Sequence, residues 1–489
     1  GAVALAFQVL AGHAEFTYYT LLVMGLYALW RLVGELRTRD YELGIKEEEA
    51  HAKDANEDKD AKRESTLRPL REPLRSPSAT RYLPLVTRPI VWLAAMVALG
   101  LLIAALQLVP LFEVGQVNFR AGSAGFDEVR GWAFPWRNAL TLLLPDFHGN
   151  PTDHAYRDVF TGQSVPLTLN ANGQPNPRGP GTTSWGEKNY VEGAWYMGVL
   201  PLLLAAVGAI VVISGRRSVG RQQSAANGEQ NSVVSAGRFF VALSVLSVAF
   251  IFGTPLYALL YYGLPFIDQL HTPFRWVFPL ALAVAVLAGT GSDALRVTRG
   301  ERRVTSDEAT VVRVARLLSW LALLGGALTL PGLLLSRLAY GLVDGLVERV
   351  FWGLAGAADA FPSATAFYSY QFWNVLIFGL LLTLSGALLS YATRHSSLIT
   401  RRSSLVTRHF FPIAATLIII DLALASAGFH TAADRALLDH TPEAVRWLQA
   451  QAPDEWRLTT YDPAGTAPLN ANVPWLYSLP DVRGYDSII

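Results

Sequence analysis

The 489-residue chain contains no cysteine and only three methionines, and Asp, Glu, Lys and Arg make up just 16% of it. Without thiols there are no disulfide staples, no thiolate nucleophile and no cysteine metal site. The low charge density excludes a chain that is solvated throughout. Neither sign dominates, since 40 Lys and Arg stand against 39 Asp and Glu, so no overall field favours nucleic acid. What the chain has in abundance is apolar surface. Hydrophobic residues make up 51% and the mean hydropathy is positive, a composition that points to a membrane.

The apolar residues gather in eight runs, at 16–30, 90–112, 192–214, 239–261, 276–294, 317–335, 372–391 and 410–428. A helix needs roughly 20 such residues to cross a hydrocarbon core about 30 Å thick. Residues 1–10 read as the second half of a further span. As one helix, residues 1–33 would extend about 50 Å, too far for one crossing, so a break is expected at Gly12-His13. The chain reads as a fragment of a longer protein. The loops after the first, third, fifth and seventh runs hold 27 of the 40 Lys and Arg. The positive-inside rule puts those loops in the cytoplasm and the C-terminal segment outside. The expectation is an all-α polytopic protein of a bacterial inner membrane, with eight complete spans and a partial N-terminal one. The helical domain covers 1–428, and the start of a soluble α+β outer domain covers 429–489.

Between the runs, residues 32–88 are rich in Lys, Glu, Asp and Arg, a composition that predicts a disordered inner loop. Asp58-Lys59-Asp60 within it has the DxD form of metal-dependent sugar transferases but lies in a solvated charge run. Residues 396–402 are nearly duplicated by 403–409, as in a low-complexity linker. The long outer loop 113–191 carries Trp132, Phe134, Trp136, Trp185 and Tyr190, and aromatics of this number predict order. Residues 339–358 mix Gly and Ala with Leu, Val, Phe and Trp352, as an interfacial helix would. Farther on, Thr441 and Pro442 are expected to cap and open a helix at 444–450, and 457–461 alternates like a strand.

Chemistry is expected where polar residues meet the outer boundary. His13, Glu15, Glu113, Asp146, Glu192 and Arg275 all approach that boundary in this topology, although they are scattered along the chain. Charges at a lipid–water interface need partners or a use, and a shared rim would suit a lipid-linked anionic substrate. Leu144-Pro145-Asp146-Phe147-His148-Gly149-Asn150-Pro151 has turn chemistry that could aim a carboxylate. His148, Asp153 and His154 are possible ligands of a divalent metal, but their spacing matches no metal motif. Arg275 beside Trp276 offers a guanidinium suited to phosphate. Asp421 interrupts an apolar run and is expected to face the bundle with a hydrogen-bond partner.

The order of Gly12-His13, residues 108–113 with Arg120, residues 144–149, residues 190–201, Pro273-Phe274-Arg275-Trp276 and terminal Arg483-Gly484-Tyr485-Asp486 resembles the bacterial YfhO-like membrane proteins. The chain departs from them at Ala14-Glu15, where Pro-Gln is typical, and at His148, where an aromatic is expected. Residues 32–88 look like an insertion. Members of that family look like GT-C glycosyltransferases. The resemblance implies transfer of a sugar from a polyprenyl-phosphate carrier to a cell-surface polymer or protein on the outer face. It also implies that the usual catalytic acid lies in a first outer loop upstream of Gly1. On this reading Glu113, Asp146 and Glu15 are the carboxylate candidates, and His13, Arg275, Glu192, Tyr190 and Trp276 bind substrate. Two other readings stand beside it, a transporter of a lipid-linked intermediate and a non-catalytic scaffold. A transporter would place polar residues near the midplane, where Asp421 and Asn374 are the candidates.

Overall fold

The computed structural model describes residues 1–12, 15–35, 83–116, 124–175, 181–214, 227–265, 267–269, 273–297, 306–354, 356–394, 403–429, 434–451, 456–460 and 473–482. His13, Arg120, Asp58-Lys59-Asp60, the first copy of the duplicated linker and the terminal Arg483-Gly484-Tyr485-Asp486 lie outside them.

Uncharged runs of Leu, Val and Ala become helices because lipid offers the backbone no partner but itself. In chain order these are α1 (Ala2–Leu10), α2 (Glu15–Glu35), α3 (Leu83–Ile103) and α4 (Ala105–Gln116). The loop after α4 then contributes α5 (Phe126–Gly131) and a short antiparallel pair, β1 (Ala155–Arg157) with β2 (Ser164–Pro166). There follow α6 (Val199–Ser214), α7 (Asn227–Ile251), α8 (Ala258–Gly263), α9 (Val277–Val297) and α10 (Ser306–Leu338). The remainder are α11 (Tyr340–Gly353), α12 (Ala357–Ala360), α13 (Ala364–Arg394), α14 (Ser403–Ser426), α15 (Ala436–Asp439) and α16 (Glu443–Gln449).

Among the described residues five helices are long and apolar enough to cross a membrane, namely α2, α9, α10, α13 and α14. That makes a mostly helical chain consistent with a polytopic membrane protein. The expected eight straight spans need correction. Residues 90–112 form the pair α3–α4, bent by 70°, and residues 239–261 form α7–α8, bent by 105°. Counting each bent pair once gives up to seven spans. The second bend follows from Gly253, whose φ is +58°, and from Pro255, which opens a new turn. Proline there cannot donate to the preceding helix.

The expected third span begins late. Residues 192–198 are not helical, and α6 has only 16 residues. Gly198 stops the helix from extending backward, because its φ of +85° is a conformation that glycine adopts without strain. Helix α6 packs closely on α9 because both carry glycine at the crossing. A Cβ at Gly208 would lie 2.0 Å from the Leu287 carbonyl oxygen, and one at Gly291 would lie 2.1 Å from that of Leu204. Small residues at a crossing let two backbones approach, which is how membrane helices gain dispersion contacts.

The C-terminal segment also departs from expectation. Its helix starts at Glu443 with Pro442 as N-cap, and no side chain caps it. Within 457–461, the described part pairs only through an isolated parallel bridge between Leu458 and Asp481.

Candidate functional site

Glu15 at the start of α2 pairs with Arg275 just before α9, Asp421 near the end of α14 meets the start of α6 at Val199, and α13 meets the turn at 145–149. The turn at 145–149 is seated on α13. Gln371 Nε2 donates to the Phe147 carbonyl at 2.8 Å, and Asn374 Nδ2 donates to the Asp146 carbonyl at 3.3 Å. Gly149, with φ +78°, closes the turn so tightly that a Cβ would collide with the Thr183 carbonyl. Asn150 and Thr183 then exchange two hydrogen bonds of 2.9 Å. This rigid turn fixes the Asp146 carboxylate.

Asp146 Oδ1 accepts from the Tyr190 hydroxyl at 2.6 Å and from Asn150 Nδ2 at 3.3 Å. Burial pushes its pKa above the ordinary carboxylate range, and the two hydrogen bonds partly oppose that rise. Burial likewise raises Asp153, whose Oδ2 accepts from the Tyr370 hydroxyl at 3.4 Å.

Beside Tyr190 opens a cavity of about 440 Å³. The loop gives it Ser184, Lys188, Asn189 and Tyr190, and the end of α14 gives it Leu422 and Ala425. One wall is therefore polar and the other is a membrane helix. Lys188 is a cation on this lining, and no described carboxylate lines it. The Lys188 ammonium donates to the Trp132 carbonyl at 2.5 Å. Burial lowers its pKa, with the charge of Glu192 acting in the opposite direction. On the same lining the Tyr190 ring stacks on Phe429, with centroids 5.9 Å apart.

A second, smaller cavity of about 40 Å³ is lined by Asp146, Tyr196, Asn374 and Asp421. Asp421 is buried. Its Oδ1 accepts from the Tyr196 hydroxyl at 2.5 Å, and its Oδ2 accepts from the backbone N–H of Val199 at 2.8 Å. The first turn of any helix has N–H groups without intrahelical partners; here a carboxylate from α14 caps α6. Asn374 on α13 reaches the Asp146 turn through its Nδ2.

The remaining expected residues fall elsewhere. Arg275 forms an ion pair with Glu15, and the two side chains are 23% and 10% exposed. That pair does not line either cavity. The guanidinium expected to hold a phosphate is already neutralised. Glu113 and Glu192 are exposed and line neither cavity. Of the five expected residues that are described, Glu15 and Arg275 pair with each other and Asp146 lines the smaller cavity. Among the described residues no three His, Asp or Glu side chains gather as metal ligands would. The His148 ring packs against Trp185 with centroids 4.4 Å apart, and His154 Nδ1 pairs with the Gly181 carbonyl.

Sequence reasoning missed Lys188 and Tyr196. The first lies in a Gly-, Trp- and Asn-rich loop segment whose density of turn and aromatic residues was the available signal. Comparison with protein-family models, with curated proteins and with solved structures finds no match to this chain.

Proposed function

We propose that this chain binds a lipid-linked anionic substrate at the end of its helical bundle and, as a membrane glycosyltransferase, passes the sugar to a cell-surface acceptor. The observation that carries this reading is the two-sided cavity, with Lys188 and neutral hydrogen-bonding groups on one wall and the apolar end of α14 on the other. Such a cavity suits a phosphate-bearing head group whose isoprenoid chain continues into lipid.

In this reading Lys188 takes the carrier phosphate, the role first expected of Arg275. The acceptor oxygen attacks the anomeric carbon, forming one C–O bond. The bond from that carbon to the phosphate oxygen breaks, and its electron pair leaves with the phosphate. Tyr190 donates its hydroxyl proton to Asp146 and its oxygen accepts from Asn150 Nδ2 at 3.3 Å, which leaves one lone pair for the cavity. The acceptor proton passes to the Tyr190 oxygen as the phenolic proton passes to Asp146. A carboxylate whose pKa is raised by burial is better able to hold that proton.

The two bent helix pairs favour a second reading, movement of a lipid-linked intermediate across the bilayer, because transporters use broken helices at their sites. One reconstitution separates them. Proteoliposomes receive a polyprenyl-phosphate sugar labelled in the sugar, together with a glycopolymer acceptor. Transfer of label to the polymer, lost in Tyr190→Phe, supports the enzyme. Label that changes leaflet yet stays on the lipid supports transport and removes the transferase.

A further inference from the structure

Helix α11 joins two membrane-crossing helices, α10 and α13, yet has 14 residues. At 1.5 Å per residue it is about 21 Å long, too short to cross a 30 Å core. At roughly 100° per residue its side chains divide into three faces. Tyr340, Val347 and Phe351 form the first, which rests on the protein. Tyr340 meets Phe160 and Tyr368, and Phe351 meets Phe367, with ring centroids 4.9–5.7 Å apart. Leu342, Leu346 and Val350 form the second, and Leu342 and Leu346 are 87% and 61% exposed. Asp344 and Glu348 form the third, also exposed. The apolar and acidic faces stand roughly 180° apart around the axis.

We infer that α11 lies flat in a lipid–water interface, with Leu342, Leu346 and Val350 in the acyl chains and Asp344 and Glu348 in water. Water on both sides would leave three large aliphatic side chains solvated. Lipid on both sides would bury two carboxylates. Only the boundary between the two satisfies both faces. The occupant of the apolar face is lipid, because α11 follows the spanning helix α10 directly and leads through the short α12 to the spanning helix α13.

The placement bears on the cavity. Phe351 packs on Phe367, Phe367 on Trp185, and Trp185 on His148, which lines the 440 Å³ cavity. An anchored α11 thus sets the depth of the cavity relative to the head groups. This inference does not depend on sugar transfer.

The cysteine-free sequence allows unique labels. Single variants Leu342→Cys, Leu346→Cys, Asp344→Cys and Glu348→Cys are spin-labelled in lipid nanodiscs, and collisions with oxygen and with a water-soluble nickel complex are measured. The expected ratio of oxygen to nickel accessibility is several-fold higher at 342 and 346 than at 344 and 348. Equal, nickel-dominated access at all four sites would place the helix in water and overturn the inference. Immobile labels at 342 and 346, shielded from both reagents, would assign the face to protein, such as a second copy, and would also overturn it.

Discussion

The Tyr190 hydroxyl donates to Asp146 Oδ1 at 2.6 Å, so a phenol on the cavity wall is tied to a buried carboxylate behind it. Burial raises the pKa of that carboxylate above its ordinary 3.8. The folded chain therefore keeps this proton to higher pH than the unfolded chain does. Between 3.8 and the raised value the native state binds more protons, so the Asp146 contribution to stability falls as pH rises and levels off above the folded pKa. Thermal unfolding in detergent checks this. Relative to Asp146→Asn, the wild type is expected to lose stability across that window, whereas a pH-independent gap would contradict it.

Asp421 joins α14 to the start of α6. Asp421→Ala leaves the Val199 N–H and the Tyr196 hydroxyl without their acceptor. Each buried group left unpaired costs about 1–3 kcal/mol. Asp421→Asn keeps one carbonyl acceptor and should lower the melting temperature less than Asp421→Ala does. Equal losses from both would mean that the carboxylate's charge, not its packing or the single acceptor that Asn retains, carries the contribution.

Arg275→Gln strips Glu15 of its partner in a largely buried place. Breaking such a pair typically costs about 3–5 kcal/mol, while replacing both members can be close to neutral. The double variant Glu15→Gln with Arg275→Gln should therefore recover much of the stability lost in the single one. Additive losses in the thermal-melt cycle would refute the coupling.

The crossing of α6 and α9 makes a sharper prediction. Gly208→Ala and Gly291→Ala each push a methyl group into a backbone carbonyl, whereas a Cβ at Gly289, also on α9, meets nothing within 4 Å. The first two should lose at least about 1–3 kcal/mol through overpacking, and Gly289→Ala should be neutral or slightly stabilising. Melting curves of the three variants distinguish these outcomes.

Much of this fold was legible because a bilayer enforces one pattern. Long uncharged runs have to be helical, so α2, α9, α10, α13 and α14 lie where the apolar residues place them. The late start of α6 was harder to read, since it depends on the backbone at Gly198 and on a cap from Asp421, more than 200 residues away in sequence. The bend at Ala104 has no local breaker in the sequence. At the site, the Pro145–Gly149 turn chemistry pointed to Asp146. The pairing of Arg275 with Glu15 did not show, because hydropathy can place two charges at the same depth without saying which of them touch. Lys188 was hidden for a related reason, as its cavity forms only when the loop folds over the end of α14.

The most direct test of the account is the affinity of the purified protein for a polyprenyl phosphate, compared with two variants of the cavity. Lys188→Gln removes the cation on its lining, and Ala425→Trp fills the space at the end of α14. Binding that weakens at least tenfold in both, with melting temperatures retained, is the predicted result. Wild-type affinity in both variants would show that the lipid phosphate binds elsewhere and would contradict the account.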